Sequence, residues 1–192
     1  QITVNIALSN RFTLEAIEEL YEGINLACNI YGVDLVGGDT SASKTGLFIS
    51  ITVLGEAKNE DIVYRSGAKE NDIICVTGDL GASYMGLQLL EREKRVYLAN
   101  PNMQPELEGY DYILERQIKP EARKDVIKIL KEAGVKPTAM IDISDGLASE
   151  IMHIATSSNV GCVIYDNKIP IDHTTINRSE ERRVGKECRS RW

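Results

Sequence analysis

The sequence predicts a mixed α/β (α+β) fold built in two parts, and three observations support this prediction. The segment "ITVNIAL", from Ile2 to Leu8, alternates apolar and polar residues, which is typical of a half-buried strand. Apolar residues then recur at helical spacing from Leu14 to Cys28. A polar, glycine-punctuated stretch over residues 55–72 separates these elements from a second series of strands and helices. We therefore expect an α+β domain at residues 1–57, a linker at 58–72 and an α/β domain at 73–175.

The N-terminal domain is predicted to contain a strand, a helix and two further strands. Thr13 is a suitable N-cap for the helix, and Gly32 stands where a C-terminal cap belongs. The short strand "VDLV" then runs into "GGDT". The segment "LFISITVLG" is predicted to be a strand that places Ile49, Ile51 and Val53 on one face.

The C-terminal domain is predicted to alternate strands with helices. The buried strand "DIICVTG" precedes a helix over "LGASYMGLQLLERE", and "EGYDYILERQIKP" is helical until it breaks before Pro120. Pro120 suits the start of the next helix, "EARKDVIKILKEAG", which Gly134 ends. The apolar run "TAMIDIS" is expected to be a strand that leads into a helix over "LASEIMHIATSS", and "GCVIYD" is predicted to be a further strand.

Composition and charge restrict the functional class. The chain has 192 residues and a formal net charge of −7, which disfavours nucleic-acid binding. No apolar run approaches the ~18 residues needed to span a bilayer, and we expect no signal peptide, because Gln1 leads directly into a strand-like segment. The four cysteines are far apart in the sequence, which indicates reduced thiols and not a disulfide framework or a zinc site. These features predict a cytoplasmic protein that binds neither nucleic acid nor membranes.

The two ends of the chain differ from an ordinary domain. Residues 178–192, "RSEERRVGKECRSRW", contain six basic and three acidic side chains in an otherwise acidic chain, and also the only tryptophan. We interpret this segment as a non-native tail and leave it out of functional reasoning. Because the chain begins with Gln1 and not with an initiator methionine, we also expect that the natural N-terminus is missing.

Two glycine-rich segments are candidate phosphate sites. In "LVGGDTSAS", residues 35–43, two glycines at a strand end allow a ligand to approach the backbone, and Asp39 can hold Mg²⁺. The alternative is a tight turn with Asp39 as a turn residue. In "CVTGDLGAS", residues 75–83, a strand, a turn and a helix start form a generic anion cradle, and the alternative is close helix–strand packing. This segment lacks the spacing of a dinucleotide fingerprint and the G-K-[ST] of a P-loop.

The segment "AMIDISDGLASEI", residues 139–151, is the third candidate site. Asp142 and Asp145 stand three residues apart, with Ser144 between them, in a corner between a predicted strand and a helix. Both carboxylates can converge on one ion there, and Ser144 can donate to a phosphate oxygen. The alternative is that Ser144 or Asp145 is an N-cap of the helix that starts near Leu147.

Arg65 is the fourth candidate, because an arginine in a linker can clamp a polyphosphate bidentately. The alternative is a solvated surface charge, and the same alternative applies to Arg116 and Arg123. The sequence contains separated aspartates, glycine-rich strand ends and a linker arginine, but no evident Ser-His-Asp set or reactive Cys-His pair. This combination favours metal-assisted phosphate chemistry without a covalent nucleophile.

Four segments together carry a family resemblance. "YGVDLVGGDTS", "YRSGAKENDIICVTGDLGAS", "ERQIKPEAR" and "IDISDGLASEIMHI" occur in the order and approximate spacing of thiamine-monophosphate kinase, in the aminoimidazole ribonucleotide synthetase superfamily. The resemblance covers about residues 1–172. It implies a transferase that uses ATP to phosphorylate thiamine monophosphate to thiamine diphosphate, by direct in-line transfer with several Mg²⁺ ions. It also implies a homodimer formed through the N-terminal domains, with an α+β N-terminal and an α/β C-terminal domain in each subunit.

The resemblance further implies roles for individual residues. Four residues match positions that bind ATP: Gly38, Asp39, Arg65 and Ser144. Three match positions that bind magnesium: Asp39, Asp142 and Asp145. The matched motifs assign no catalytic acid or base.

The chain departs from the family pattern at both ends. In the family an upstream Gly-Asp-Asp motif supplies much of the metal cluster, and that motif would precede Gln1. Late substrate-contacting residues would follow residue 172. We therefore expect a fragment with a partial N-terminal domain and a truncated C-terminal domain, which holds only part of the site and whose own activity is in question. Asp79 stands where the family often has a neutral residue, and no role is assigned to it.

Other functions remain open beside this resemblance. One is another ATP-dependent synthetase of the superfamily, such as selenophosphate or aminoimidazole ribonucleotide synthetase. The other is a non-catalytic ligand-binding or assembly module, which predicts that Asp39→Asn and Asp142→Asn leave Mg²⁺-dependent nucleotide binding unchanged. A dinucleotide-dependent oxidoreductase is disfavoured by the missing fingerprint spacing.

Overall fold

A computed structural model describes residues 1–179, which divide into two compact units. The first unit is Gln1–Ile62, and the second runs from Val63 onward. The boundary between them falls inside the segment 58–72 that was expected to be a linker. The proposed tail at 178–192 lies outside the described residues, apart from positions 178 and 179. The mixed α and β composition that the sequence predicts is confirmed.

The first unit is a three-stranded sheet with a helix packed on one face. Its elements are β1 (Ile2–Leu8), α1 (Leu14–Tyr31), β2 (Leu35–Ala42) and β3 (Leu47–Val53), followed by a 3₁₀ turn at Asn59–Asp61. The strand order is β2-β1-β3, in which β1 runs parallel to β2 and antiparallel to β3. The bounds of β1 agree with the prediction from alternating apolar residues, and β3 begins where predicted but ends at Val53, two residues earlier than "LFISITVLG".

Alternation along β1 produces the core of the first unit. Ile2, Val4 and Ile6 are buried together with Cys28 of α1, and the apolar stripe of that helix packs against them. Both predicted caps of α1 are confirmed. The N–H of Ala16 donates to Thr13 Oγ1 over 3.3 Å, and Gly32 ends the helix with a left-handed backbone at φ 65°.

Strand β2 is longer than the sequence predicts. We expected a strand over "VDLV" and a turn or strand end at "GGDT", whereas β2 continues to Ala42. The reason is the neighbouring strand, because Val4 pairs with Gly38, Asn5 with Asp39, and the ladder persists to the end of β1. Backbone pairing thus outweighs the low strand propensity of Gly and Asp. The alternative of a tight turn at Asp39 is therefore wrong.

The second unit is helical in its described part. It contains α2 (Ala82–Ala99), α3 (Asp111–Ile118), α4 (Lys124–Glu132), α5 (Leu147–Ser158) and a 3₁₀ turn at Asp166–Lys168, and residues 173–179 are also helical. Its core is the contact of Met85 and Leu89 on α2 with Ile113 on α3. Leu89 and Ile113 have no exposed surface. No helix within residues 1–179 is both long and apolar enough to cross a membrane.

The helix predictions differ in accuracy. The predicted bounds of α5 are confirmed, and α3 ends before Pro120 as expected. Helix α4 begins only at Lys124, so the prediction that Pro120 opens it is wrong. Asp125 in the first turn explains the later start, because a carboxylate there complements the helix dipole and pairs with Arg123 over 2.9 Å.

The strands predicted for the second unit are not found in its described part. The segments "DIICVTG", "TAMIDIS" and "GCVIYD" contain no assigned strand. They make isolated backbone bonds instead, such as Met140 N–H to Tyr64 O at 2.9 Å and Lys168 N–H to Tyr165 O at 2.9 Å. Ile73 remains 87% exposed. An apolar run forms a strand only where a neighbour pairs with it over several residues, and single bonds do not make such a ladder.

Candidate functional site

Gly38 lies where β1 and β2 approach each other closely. A Cβ atom at this position would lie 1.9 Å from the carbonyl oxygen of Val4, so no larger residue fits without moving β2. This steric contact with β1 is enough to explain why position 38 is a glycine, without reference to a ligand. The matching of Gly38 to an ATP-binding position remains a prediction.

Asp39 lies on the face of the sheet opposite to α1. It pairs with Asn5, which in turn pairs with Ser50 of β3, and Asn5 alternates with the buried Val4 and Ile6. Directly paired residues share a face, so Asp39, Asn5 and Ser50 form a polar row across the three strands. Asp39 is exposed. Sequence reasoning missed Asn5 and Ser50, although the alternation along β1 was the signal that could have found Asn5.

The aspartate corner of the second unit comprises residues 142–146 and precedes α5. Asp142, Ser144 and Asp145 are all exposed, and the hydroxyl of Ser144 donates to Asp142 Oδ2. This hydrogen bond is the main cause that lowers the pKa of Asp142 below its usual value, with smaller contributions from its own backbone and from the charge of Arg65. Asp142 is therefore an ionised, solvent-facing carboxylate, and Arg65 is near enough to affect it.

The alternative of a helix cap at this corner is wrong. The N-cap of α5 is Gly146, with φ 123° and ψ 155°, and no side chain makes a capping hydrogen bond there. Ser144 is bonded to Asp142 instead of the helix. Neither Ser144 nor Asp145 satisfies the first N–H groups of α5, which leaves these donors facing outward from the helix start.

Glu150, inside α5, contacts this corner, and sequence reasoning missed it. It is only 4% exposed, and its Oε1 accepts the N–H of Asp145 over 2.9 Å. A glutamate in the first turn of a helix is a common sequence feature. The hydrogen bond of Glu150, however, goes to Asp145, five residues earlier and just before the N-cap Gly146, and no standard capping pattern contains such a bond.

The segment around Arg65 is fixed by contacts on both sides. The carbonyl of Tyr64 accepts the N–H of Met140 over 2.9 Å, two residues before Asp142. The N–H groups of Gly67 and Ala68 both donate to Ser158 Oγ over 3.1 Å. Arg65 is thus held between the chain that leads into the aspartate corner and the end of α5.

Ser158 is expected to order this arginine segment, and Ser158→Ala tests that role. The substitution removes the acceptor of two backbone N–H groups, so we expect a loss of about 1–2 kcal/mol in the free energy of unfolding. Amide hydrogen exchange at Gly67 and Ala68 should accelerate. Ser157→Ala, an exposed position on the same helix end, is the control and should change neither quantity. Unchanged exchange in Ser158→Ala would contradict the role.

The glycine-rich turn at residues 78–81 is tied to α3. The Tyr112 hydroxyl donates to Asp79 Oδ2, and this bond raises the pKa of Tyr112 to about 12. Arg116 Nη2 donates to the carbonyl oxygen of Asp79 over 3.4 Å. Gly78 has a positive φ of 78°, and guanidinium nitrogens of Arg116 and Arg123 would lie within 4 Å of a Cβ there. These contacts tie the turn of "CVTGDLGAS" to α3 and give Asp79 a structural contact, but the close helix–strand packing that was the alternative is not found, because residues 72–77 before the turn form no strand.

The chemistry of the predicted ligands suits Mg²⁺. In proteins this ion is commonly held by one or two carboxylates, with substrate phosphates and waters completing its octahedral shell. Asp142 and Asp145 supply two exposed carboxylates at one corner, and Asp39 supplies another on the first unit. Within residues 1–179 no three His, Cys, Asp or Glu side chains form a group arranged to hold a metal ion. The two carboxylates of the aspartate corner therefore fit an ion that shares its coordination with a bound phosphate.

Comparisons with known proteins give three similarities. Residues 1–57 match the family described as AIR synthase related protein, N-terminal domain. The thiamine-monophosphate kinase of Bacillus subtilis (strain 168) is 38% identical over 168 residues, which cover 88% of this chain and 49% of that protein. The crystal structure of thiamine monophosphate kinase from Aquifex aeolicus has a TM-score of 0.79 and 29% identity, over 94% of this chain and 57% of that one.

A related structure adds ligands to this comparison. It is AaThiL complexed with AMPPCP and TMP, with a TM-score of 0.73 and 27% identity, over 94% of this chain and 53% of that one. The chain spans about half the length of the curated relatives that it matches. The resemblance that the four sequence motifs indicated is confirmed: over most of its length, this chain is similar to about half of a thiamine-monophosphate kinase.

Proposed function

We propose that this chain is part of an ATP-dependent kinase that phosphorylates thiamine monophosphate to thiamine diphosphate. The observation that carries the proposal is the arrangement of Arg65 with the aspartate corner: a cation, two exposed carboxylates and a hydroxyl on one unit. Carboxylates, a hydroxyl and a guanidinium are the groups that phosphoryl-transfer sites use to hold nucleotide phosphates and their metal ions. The similarity to a protein complexed with AMPPCP and TMP supports the choice of substrates.

In the proposed mechanism, this chain positions phosphates and provides no covalent nucleophile. Arg65 attracts the polyphosphate of ATP, and Ser144 is the hydroxyl that contacts a phosphate oxygen. Asp142 and Asp145 would hold Mg²⁺ on the second unit and Asp39 would hold Mg²⁺ on the first, and Mg²⁺ when bound neutralises phosphate charge. The open N–H groups at the start of α5 favour an anion near Gly146.

The remaining parts of the proposal come from the family resemblance. They are several Mg²⁺ ions, binding of ATP through Gly38 as well as Asp39, a homodimer formed through the first unit, and a cytoplasmic location. The first unit offers exposed apolar side chains on β3, such as Phe48 at 65% exposure, which are compatible with burial in an assembly.

A coupled assay for ADP release tests the proposed function. The full-length protein that contains this chain should release ADP from Mg-ATP when thiamine monophosphate is present, and little without it. Thiamine without its phosphate is the matched control and should not support ADP release. Release that does not depend on thiamine monophosphate would reject the proposal, and release that depends on selenide or on formylglycinamidine ribonucleotide would indicate a sister synthetase instead.

A further inference from the structure

Glu150 combines burial with a contact to a predicted metal ligand. It is one of four buried polar or charged residues in the described part of the chain. Its Oε1 accepts the N–H of Asp145 over 2.9 Å, while the side chain of Asp145 is exposed. A buried carboxylate is costly unless hydrogen bonds compensate for the lost water. The contact with Asp145 is therefore the feature that needs an explanation.

Helix capping does not provide that explanation. The residue that caps α5 is Gly146, and the helix has no side-chain cap. Glu150 bonds to the residue before Gly146, outside the helix, so it satisfies none of the open donors of the first turn. The bond instead fixes the peptide between Ser144 and Asp145, one residue before Gly146, whose φ of 123° is a conformation that only glycine adopts readily.

We propose that Glu150 is a positioning residue for Asp145 in cation binding. By accepting the N–H of Asp145, it fixes the backbone of that residue and so the direction of its Cα–Cβ bond. The exposed carboxylate of Asp145 is then presented at the same corner as Asp142. This inference rests on the proposed function, in which Asp142 and Asp145 hold Mg²⁺. Groups that orient metal ligands commonly change metal affinity about 10–100-fold when they are removed.

The charge of the Glu150 side chain and its length can be tested separately by two substitutions. Glu150 is a buried carboxylate that bonds to the backbone of the corner containing Asp142 and Asp145. Glu150→Gln keeps an acceptor oxygen at the same distance along the side chain but removes the charge. Glu150→Asp keeps the charge but is one methylene shorter, so it loses its reach to the Asp145 N–H. If Glu150 acts by positioning, the Gln variant should resemble the wild type more closely than the Asp variant does.

Titration of the ¹⁵N-labelled chain with MgCl₂ alone tests the inference. In the wild type, we expect the amide signals of Asp142, Ser144 and Asp145 to shift in a saturable way. Glu150→Asp should raise the half-saturating Mg²⁺ concentration about tenfold, whereas Glu150→Gln should stay within about threefold. The Asp145 amide should also exchange faster in Glu150→Asp and stay protected in Glu150→Gln.

Glu93 provides a matched control within the same unit. It is 7% exposed, and its Oε2 accepts the N–H of Glu106 over 2.9 Å, so it is another buried glutamate bonded to a backbone donor. Glu93→Asp should lower stability without changing the Mg²⁺ response at the corner. An equal change in Glu93→Asp and Glu150→Asp would overturn the inference, because it would indicate general loosening of the unit.

The remaining outcomes separate this inference from the proposed function. A Glu150→Asp variant that titrates as the wild type does, or a Glu150→Gln variant that is the weaker binder, would overturn the positioning role. If MgCl₂ causes no shift of the amide signals at the wild-type corner, both the positioning role of Glu150 and the assignment of Asp142 and Asp145 as metal ligands would be overturned. Saturable Mg²⁺ binding at the corner, combined with no ADP release dependent on thiamine monophosphate, would overturn only the proposed function.

Discussion

Replacing Asp142 with asparagine is expected to lower kcat/KM for thiamine monophosphate at least about 100-fold in the full-length protein. The substitution keeps the shape of the side chain but removes the charge that is proposed to hold Mg²⁺. Stabilisation of phosphate charge by a bound metal is worth several kcal/mol, and each 1.4 kcal/mol corresponds to about tenfold in rate. The low pKa of Asp142 means that its carboxylate is already ionised near neutral pH, so the full charge is lost.

The ADP-release assay at several Mg²⁺ concentrations measures this effect. Asp166→Asn is the matched control, since Asp166 is exposed in the same unit and belongs to a 3₁₀ turn that supplies none of the proposed ligands. It should leave kcat/KM within about twofold, because exposed surface substitutions rarely have large effects. An Asp142→Asn variant that retains more than a tenth of the activity would contradict the assignment of Asp142 as a metal ligand.

The largest effect on stability is expected for Gly86→Ala, where we predict a loss of about 2–3 kcal/mol in the free energy of unfolding. Gly86 is buried on α2 against α3. An added Cβ would lie 2.1 Å from the carbonyl oxygen of Ile113 and 3.0 Å from Cβ of Gln117, so the two helices would have to separate. Separation would also weaken the contact between Leu89 and Ile113, which is the centre of this core.

Urea unfolding measures this loss, and Gly23→Ala provides a control of opposite sign. Gly23 lies on the exposed side of α1, and nothing lies within 4 Å of a Cβ placed there. The same substitution in an open helix interior should therefore stabilise by about 0.5–1 kcal/mol. If Gly86→Ala proved as stable as the wild type, close packing of α2 against α3 would be refuted.

Elements that depend on local signals could be predicted from the sequence. Helix α1 was bounded correctly because Thr13 and Gly32 act within one turn of the helix ends. Helix α5 was likewise recognisable from its own apolar spacing, although its cap was not. Strand β1 has strict alternation, which reports its buried face without reference to any other strand.

Elements that depend on a distant partner could not be predicted. The extension of β2 through Gly38 and Asp39 is imposed by pairing with β1, more than thirty residues earlier in the chain. Conversely, the apolar run that includes Ile73 has strand-like composition, but Ile73 is 87% exposed and no strand of the described residues pairs with the run. Periodicity describes the face of a segment and contains no information about which segment lies beside it.

The same limit applies to the candidate site. The exposed groups Arg65, Asp142, Ser144 and Asp145 stand out in sequence because polar residues beside glycine are unusual at the end of an apolar run. Their roles as ATP or magnesium ligands remain predictions. Ser158, which orders the arginine segment from 91 residues away, leaves no local signal of that contact. The residues that orient a site are thus harder to find than those that face the ligand.

Helix α5 has a consequence for insertions and deletions. Glu150 near its start bonds to Asp145, and Ser158 at its end bonds to Gly67 and Ala68. Each residue of an α-helix adds 1.5 Å and about 100° of rotation. One residue added or lost between Glu150 and Ser158 would turn the serine hydroxyl away from the arginine segment while changing little in composition. We therefore expect related chains to tolerate length variation in the loop at 100–109 far better than within this helix.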